Sequence, residues 1–304
     1  MKLKIGTRGS HLARTQSMIV AAALEQLGHE TTLEIIRTAG DDSSAPTFAS
    51  IGAQGVFVRE IEQALLDKRI DVAVHSCKDL PTHSPEGLVV AAIPQRYDAA
   101  DMLIANHSVS RHDGGSIPLA AGAVVGTSSA RRQSWLKHLR PDLEFKPLRG
   151  NVPTRIGKLE EGYDAILLAA AGLERLATAL LGDDGPTIEL EAYDVTRLDP
   201  RVFVPAPAQG ALALQCRRDA GDVITALAAL DDPASRACVM AEREVLERVE
   251  GGCDLAFGAY CRELEHGYEF VMMLERDGQL LRDIQHDHSP AALAASVWET
   301  IAAR

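Results

Sequence analysis

Apolar positions alternate between a strand-like and a helix-like spacing over the first two-thirds of the chain. The first unit predicts strands at residues 2–7, 32–37 and 72–75, and helices at about 10–27 and 56–68. Ser10 stands just before the first helix and suits its N-cap. Alternation of this kind predicts a parallel or mixed sheet that is covered on both faces.

A second unit with the same rhythm starts near Asp101. It predicts strands at residues 123–126, 143–148 and 165–169, and helices that end near Leu139 or follow Val152 and Ala170. The last unit starts near Ala220, with two helices, β-like runs at 255–260 and 269–274, and a final helix from about Pro290. Two α/β units in tandem commonly bind a ligand in the cleft between them, at the carboxyl ends of the strands.

Composition narrows the class of partner. The 304 residues are 46% hydrophobic, which fits a globular protein, and their net charge is −12. We therefore expect neither nucleic acid nor an anionic membrane as partner, and an anionic substrate needs a local cationic site.

The location of the protein is predicted from its first residues and its cysteines. The first residues have no apolar core of a signal peptide, and no apolar run approaches the length of a membrane span. The five cysteines form no C-x-x-C pair, so neither a disulfide framework nor a metal site is expected, and a reducing cytoplasm fits best.

The segment Val125–Gln133 is the first candidate anion site. A strand ends in Gly126, three hydroxyl residues follow at 127–129, and Arg131 and Arg132 stand in the first turn of a helix. Helix N-termini attract anions, whereas basic residues there oppose the helix dipole, so protein stability does not account for the two arginines. The alternative is a serine N-cap followed by solvated arginines.

The stretch that follows favours the anion site. Residues 131–158 contain eight basic and two acidic residues in an otherwise acidic chain. Arg149 and Arg155 flank a Gly-Asn turn that enters a helix, and Arg8 ends the first strand of the other unit. A small polyanion is the natural ligand, since guanidinium groups bind carboxylates through two parallel hydrogen bonds. Genomic bias accounts for most of the excess of arginine over lysine, so position carries the argument.

Lys78 and Asp79 form a candidate catalytic pair. A buried strand leads into Ser76, Cys77, Lys78 and Asp79, followed by Pro81. A carboxylate beside a lysine at a strand end can stabilise a developing cation or transfer a proton. An aspartate in a turn before proline is the competing interpretation.

Cys253 is the candidate nucleophile. It follows Gly251 and Gly252 in a loop after a predicted helix, where flexible backbone can bring it into a cleft. Most free cysteines are small buried apolar residues, and we assign that role to Cys77, Cys216, Cys238 and Cys261.

Together these motifs make the chain resemble the porphobilinogen deaminase family, also called hydroxymethylbilane synthases. The matching segments stand in family order from residue 5 to about 260. They are IGTRGS at 5–10, GVFVRE at 55–60, VHSCKDLP at 74–81, VGTSSARRQ at 125–133, LRGNVPTR at 148–155, AAGL at 170–173, PAPAQG at 205–210 and EGGC at 250–253. Two departures are Gln54, where relatives often have lysine, and Asp254, where an uncharged residue is common.

The resemblance implies an enzyme that condenses four porphobilinogen molecules head to tail into hydroxymethylbilane, with release of ammonia. It implies a dipyrromethane cofactor, held by a thioether and itself built from substrate. The implied fold has two periplasmic-binding-protein-like α/β domains flanking a cleft and a small α+β C-terminal domain. The corresponding residues are 1–97 with 198–216, then 101–194, then 220–304. A monomer is implied.

The resemblance also assigns roles to residues. Asp79 is the implied catalytic residue and Cys253 the attachment point. The other implied cofactor-binding residues are Ser76, Lys78, Asp79, Thr127, Ser128, Ser129, Arg131, Arg132 and Gly150. The implied substrate-binding residues are Arg8, Ser10, Gln16, Phe57, Arg149, Arg155, Arg175 and Gln209.

Two other hypotheses compete with the transferase. A non-catalytic binding module for an organic anion needs neither Asp79 nor Cys253. A cysteine redox enzyme is disfavoured because no second cysteine lies near Cys253 in the sequence.

Overall fold

The computed structural model describes residues 1–37, 58–111, 114–177, 190–249 and 255–303. Phe57, Gln54, Cys253 and Asp254 lie outside the described residues. The strands are β1 Lys2–Arg8, β2 Glu30–Ile36, β3 Val72–Ser76, β4 Leu88–Ala92, β5 Asp101–Ala105, β6 Val124–Gly126, β7 Glu144–Lys146, β8 Ala165–Ala169, β9 Asp194–Arg197, β10 Leu212–Arg217, β11 Phe257–Leu264, β12 Gly267–Arg276 and β13 Gln279–Asp287. The helices are α1 His11–Gln26, α2 Arg59–Leu66, α3 Ala130–Leu139, α4 Val152–Gly157, α5 Ala170–Ala177, α6 Gly221–Ala228, α7 Pro233–Arg248 and α8 Pro290–Ala302.

Two five-stranded sheets share one topology. The first has the order β2-β1-β3-β10-β4 and the second the order β7-β6-β8-β5-β9. In each, one strand pairs in parallel with two others, β1 with β2 and β3, and β6 with β7 and β8. An antiparallel strand is then inserted next to the third, β10 in the first sheet and β5 in the second. The fold is thus two α/β lobes, as predicted.

The third unit is a three-stranded antiparallel sheet, β11-β12-β13, with α7 and α8 packed against it. Phe270 and Met272 of β12 lie in its core with Val245 of α7 and Val297 of α8. Strand β13 was not predicted because its sequence is largely polar, as suits the edge strand of a small sheet.

Helix α6 packs against a different unit from the one that its place in the sequence predicts. The rhythm of the chain assigns it to the last unit, but its Val223 and Leu227 lie in the core of the first sheet with Leu214 and Cys216. Amphipathic spacing identifies a helix without naming the sheet that its apolar face covers. The predicted domain limits themselves stay a prediction.

Helix starts follow the capping residues in the sequence. Ser10 caps α1, as predicted, and its Oγ accepts a hydrogen bond of 3.3 Å from the Ala13 backbone N–H. Ser129 caps α3 by accepting from the Arg132 N–H at 3.4 Å. Both caps fix the point at which a strand end becomes a helix N-terminus. Among the described residues, no helix is both long and apolar enough to cross a bilayer.

Candidate active site

Five predicted segments of the site leave the carboxyl ends of parallel strands. In the first lobe, β1 leads to Arg8 and Ser10, and β3 leads into the 3₁₀ turn Cys77–Asp79. In the second lobe, β6, β7 and β8 lead into the starts of α3, α4 and α5. Because parallel strands end at one edge of a sheet, each lobe gathers its segments at one edge.

Contacts between the lobes bring the two edges together. A Cβ placed on Gly172 at the start of α5 would lie 3.9 Å from Leu12 Cδ2 in the first turn of α1. The Arg175 side chain of α5 donates to the Gly210 carbonyl at 2.9 Å, in the segment that enters β10. The strand-end edges of the two lobes, which carry these motifs, therefore adjoin one another.

Ser76 and Gln16 form a pair in the first lobe. Gln16 is 3% exposed. Its Nε2 donates to Ser76 Oγ at 3.1 Å, so the end of β3 is tied to α1. Arg8 is half-buried at the end of β1, beside the Ser10 cap. Ser76 is more exposed than Gln16.

Lys78 and Asp79 occupy the turn after β3. Asp79 is exposed, and Lys78 is half-buried with its Nζ 3.3 Å from Gln209 Oε1, to which it donates. Burial lowers the pKa of Lys78 to about 8, although Asp79 opposes the shift. Arg131 and Arg132 lower this pKa as well, so the second lobe lies within electrostatic reach of Lys78.

Gln209 connects Lys78 to the second lobe. It is 0% exposed, and its Nε2 donates to the carbonyls of Ala99 and Ala100 and to Asp101 Oδ1 at 2.8, 3.2 and 3.1 Å. Its side chain thus joins Lys78 to Asp101, and its contact with substrate stays a prediction. The next residue, Gly210, has φ +88°, and a Cβ there would lie 2.6 Å from the Tyr97 carbonyl oxygen, so only glycine fits.

The hydroxyl residues at the start of α3 have different surroundings. Thr127 is buried, and its Oγ1 accepts from the Ser129 N–H at 3.2 Å. Ser128 is exposed, donates to the Leu148 carbonyl and accepts from the Leu148 N–H, each at 3.0 Å. Ser128 therefore ties the segment after β6 to the segment after β7.

Arg131 and Arg132 grip a buried carboxylate. Arg131 Nη2 lies 2.8 Å from Asp101 Oδ2, and Arg132 Nη2 lies 2.6 Å from Asp101 Oδ1. Arg131 also donates to the Val204 carbonyl and Arg132 to the Leu167 carbonyl. Burial raises the pKa of Asp101, but the two guanidinium groups outweigh it and hold this pKa well below its ordinary value.

This finding corrects one step of the sequence argument. The inference that protein stability does not account for Arg131 and Arg132 is wrong, because Asp101 supplies a buried anion. The pair still carries one positive charge more than its partner. Their contact with a ligand stays a prediction.

Arg149, Gly150 and Arg155 surround the turn between β7 and α4. Arg149 is exposed and has no hydrogen bond or ion pair to a described residue. Gly150 has φ +115°, and a Cβ there would lie 2.8 Å from Thr154 Cγ2. Arg155 is half-buried, and its Nε donates to the Gly150 carbonyl at 2.7 Å.

The electrostatics of Arg155 locate it opposite the first lobe. Burial lowers the pKa of Arg155, the positive charge of Arg132 lowers it further, and Asp79 opposes both. Asp79 is therefore near enough to Arg155 to affect its pKa, and a site shared by the two residues stays a prediction.

Arg175 is more deeply enclosed than predicted for a ligand contact. It is 3% exposed and its guanidinium lies 4.5 Å from the centre of the Tyr97 ring. Burial lowers the pKa of Arg175 to about 10, although Tyr97 and Glu174 oppose the shift. Its visible role is to hold the Gly210 segment against α5.

The donor set suits an organic polycarboxylate. Burial lowers the pKa of both Lys78 and Arg155, which means that neither cation is fully compensated by the anions around it. A carboxylate bound between them would supply the missing charge. Arg149, which is exposed, adds further donors at the same edge. Pyrroles bearing acetate and propionate groups fit this chemistry.

Sequence reasoning missed Asp101 and the bridging role of Gln209. The available signal was a lone acidic residue at the start of an apolar strand, 101–105, close to the basic stretch. A buried carboxylate in that position requires cationic partners.

Fold and site define a two-lobed α/β protein in which several cations and one exposed carboxylate lie at the adjoining strand ends. The family model described as "Porphobilinogen deaminase, dipyromethane cofactor binding domain" matches residues 3–242. The chain belongs to the porphobilinogen deaminase family.

Curated relatives of the same name extend over nearly the whole chain. The porphobilinogen deaminase of Syntrophobacter fumaroxidans is 43% identical over 293 residues, 95% of this chain and 89% of the relative. That of Brevibacillus brevis is 40% identical over 309 residues, 100% of this chain and 94% of the relative. That of Roseiflexus sp. is 44% identical over 289 residues, 93% of this chain and 89% of the relative.

Solved structures with a similar arrangement include binding proteins. An ancestral cationic amino acid solute-binding protein aligns with a TM-score of 0.41 at 14% identity, covering 75% of this chain and 87% of its own. The L-cystine solute receptor of Neisseria gonorrhoeae, in its unliganded open conformation, aligns with a TM-score of 0.39 at 14% identity, covering 75% and 84%. The fold class rests on the sheet topology of this chain.

Proposed function

We propose that this protein condenses four porphobilinogen molecules head to tail into hydroxymethylbilane, on a dipyrromethane primer attached to Cys253. The observation that supports the proposal is the hydrogen-bonded connection from Lys78, the neighbour of Asp79, through Gln209 to Asp101, which Arg131 and Arg132 bind from the second lobe. Family membership supplies the substrate class and the primer.

The cations bind and orient the acidic substituents of the pyrroles. Charge-assisted hydrogen bonds contribute about 1.5–3 kcal/mol each. Lys78 and Arg155 are half-buried, so carboxylates bound there exchange water for fixed donors. Arg149 is exposed and binds a substituent nearer the solvent.

Asp79 acts on the reacting pyrrole. When the carbon–nitrogen bond of the aminomethyl group breaks, ammonia leaves and positive charge develops on the pyrrole nitrogen of the incoming substrate. The exposed Asp79 carboxylate stabilises that charge. The new carbon–carbon bond joins the freed methylene carbon to the unsubstituted α-carbon at the chain end, and the proton lost from that α-carbon passes to the ammonia.

The primer, when bound, supplies that nucleophilic α-carbon. Cys253 would hold the primer through a thioether, which would keep each successive chain end near Asp79 and make each coupling a local encounter. Cys253 lies in the segment that follows α7, and α7 packs beside the Asp79 turn through Val239, Cys77 and Leu80.

We further propose that the protein works as a monomer in the cytoplasm. The lack of a C-x-x-C pair supports a reducing compartment, and the family resemblance supports the monomer. Size-exclusion chromatography with light scattering tests the monomer, for which the expected mass is close to 32.7 kDa.

The test compares wild-type protein with Asp79→Asn on porphobilinogen. Wild type is expected to release one ammonia for each porphobilinogen consumed. The variant is expected to lose nearly all turnover while it keeps its bound pyrroles, because asparagine preserves shape and removes charge. Unchanged function of the variant would instead favour a binding module, and no turnover by wild-type protein carrying its primer would refute the enzyme.

A further inference from the structure

Arg243 connects the third unit to the turn that carries Asp79. It lies on α7, is 7% exposed and belongs to no motif that sequence reasoning selected. Its Nη1 donates to the carbonyls of Cys77 and Leu80 at 3.1 and 3.0 Å, and its Nη2 donates to the Pro81 carbonyl at 2.5 Å. One guanidinium thus holds three carbonyl oxygens of the loop that contains Asp79.

The three carbonyls bracket the catalytic turn. Cys77 begins the 3₁₀ turn Cys77–Asp79, and Leu80 and Pro81 follow it directly. Among the described residues, the other backbone hydrogen bonds of this turn run from the Cys77 N–H to the Ala211 carbonyl at 3.0 Å and from the Leu80 N–H to the Cys77 carbonyl at 3.2 Å. The planar guanidinium therefore constrains the path of residues 77–81 on both sides of Asp79.

The same helix leads to the attachment cysteine. Helix α7 ends at Arg248, five residues before Cys253. It is also anchored beside Arg243, because Glu242 accepts from Arg96 Nη1 at 2.6 Å and from the Ala208 N–H at 2.6 Å. Because α7 is fixed at this point, the position of its C-terminal end, from which the chain continues to Cys253, is fixed relative to the Asp79 turn.

We propose that Arg243 is a positioning residue for the coupling step, holding the Asp79 turn in register with the end of α7. The proposal rests on the proposed function, since it concerns the carboxylate and the cysteine assigned there. Arg243 itself touches no substrate. It acts by fixing where the Asp79 carboxylate stands relative to the pyrrole chain tethered at Cys253.

The chain offers a matched control on the same helix. Arg236 of α7 also ties the third unit to the first lobe, donating to the Ala91 carbonyl at 2.8 Å and to Asp231. In the part of the chain that the structure describes, none of its hydrogen bonds reaches residues 77–81. Arg236→Gln therefore removes a comparable tether without touching the catalytic turn.

The experiment separates placement from general stability. Arg243→Gln, Arg243→Lys and Arg236→Gln are purified with their primer, and intact mass gives the loaded fraction of each. Loaded protein is then mixed with porphobilinogen, and quenched samples are weighed to follow the gain of the first pyrrole. The amplitude gives the fraction of molecules that can add a pyrrole. The rate constant shows how well the Asp79 turn is positioned in those molecules.

We expect a rate constant about 10- to 100-fold lower for Arg243→Gln and near wild type for Arg236→Gln. Arg243→Lys is expected to be at least about fivefold slower than wild type, since one ammonium cannot replace the several donors of the planar guanidinium. If Arg243→Gln does not fold, the rate constant of Arg243→Lys tests the proposal in its place. Rate constants within about twofold of wild type, with only the amplitude or thermal stability reduced, would overturn the proposal. Failure of loaded wild-type protein to add any pyrrole would instead refute the proposed function.

Discussion

The Lys78 ammonium donates a hydrogen bond of 3.3 Å to the side-chain oxygen of Gln209. The amide nitrogen of the same glutamine donates to Asp101 Oδ1 at 3.1 Å. The lysine beside the proposed catalytic Asp79 is therefore tied, through one enclosed amide, to the carboxylate that organises the arginine pair of the other lobe.

This relationship predicts the effect of Gln209→Leu. The substitution leaves the carbonyls of Ala99 and Ala100 without their side-chain donor and removes the acceptor of Lys78. We expect a loss of about 2–4 kcal/mol in the free energy of unfolding, measured by urea denaturation. The exposed Gln63→Leu serves as control and is expected to change stability little. Equal stability of the two variants would show that the bridge contributes nothing.

Substrate capture should depend on the ionisation of Lys78. Burial lowers the pKa of this lysine to about 8, so the free enzyme loses the positive charge as pH rises through 8. Because the charged form attracts carboxylates, kcat/KM for porphobilinogen is expected to fall above pH 8. Lys78→Arg keeps its charge throughout this range and should flatten that limb of the profile. If kcat/KM falls above pH 8 with the same midpoint and to the same extent in wild type and in Lys78→Arg, the titrating group is not Lys78.

Asp101→Asn should be among the most damaging single changes in the second lobe. It keeps the size of the side chain but leaves Arg131 and Arg132 as neighbouring buried cations without their counter-ion. We expect a loss of about 3–5 kcal/mol in unfolding free energy. Asp142→Asn, which breaks an exposed pair with Arg140, is the control and should be nearly neutral. Comparable stability of the two variants would contradict a central role for Asp101.

Much of this fold could be predicted from the sequence because apolar positions follow the spacing of strands and helices in alternation. Strand Ala165–Ala169 and the start of α1 coincide with the prediction, since an apolar run and a serine cap mark them directly. The insertion of β10 into the first sheet follows from pairing between distant residues, which local spacing does not encode. The bridging role of Gln209 depends on burial and on partners more than 100 residues away, so local sequence patterns did not indicate it.

Arg155 and Arg149 should differ in effect although both flank the same turn. Arg155 is half-buried within electrostatic reach of Asp79, whereas Arg149 is exposed. We expect Arg155→Ala to stall elongation or prevent primer assembly more severely than Arg149→Ala, because a half-buried carboxylate loses its partner. Intact mass reports the pyrroles bound, and steady-state assays report turnover. Lys158→Ala, on an exposed ion pair with Glu161, is the matched control. Wild-type product formation by both arginine variants would refute their assigned role.

Intact-mass spectrometry of the purified protein shows whether a pyrrole chain is built on Cys253. We expect a wild-type mass above the sequence mass by two pyrrole units. This excess should be retained in Cys216→Ala and lost, together with activity, in Cys253→Ser. A wild-type protein that is active at its unmodified sequence mass would refute attachment of the chain to Cys253.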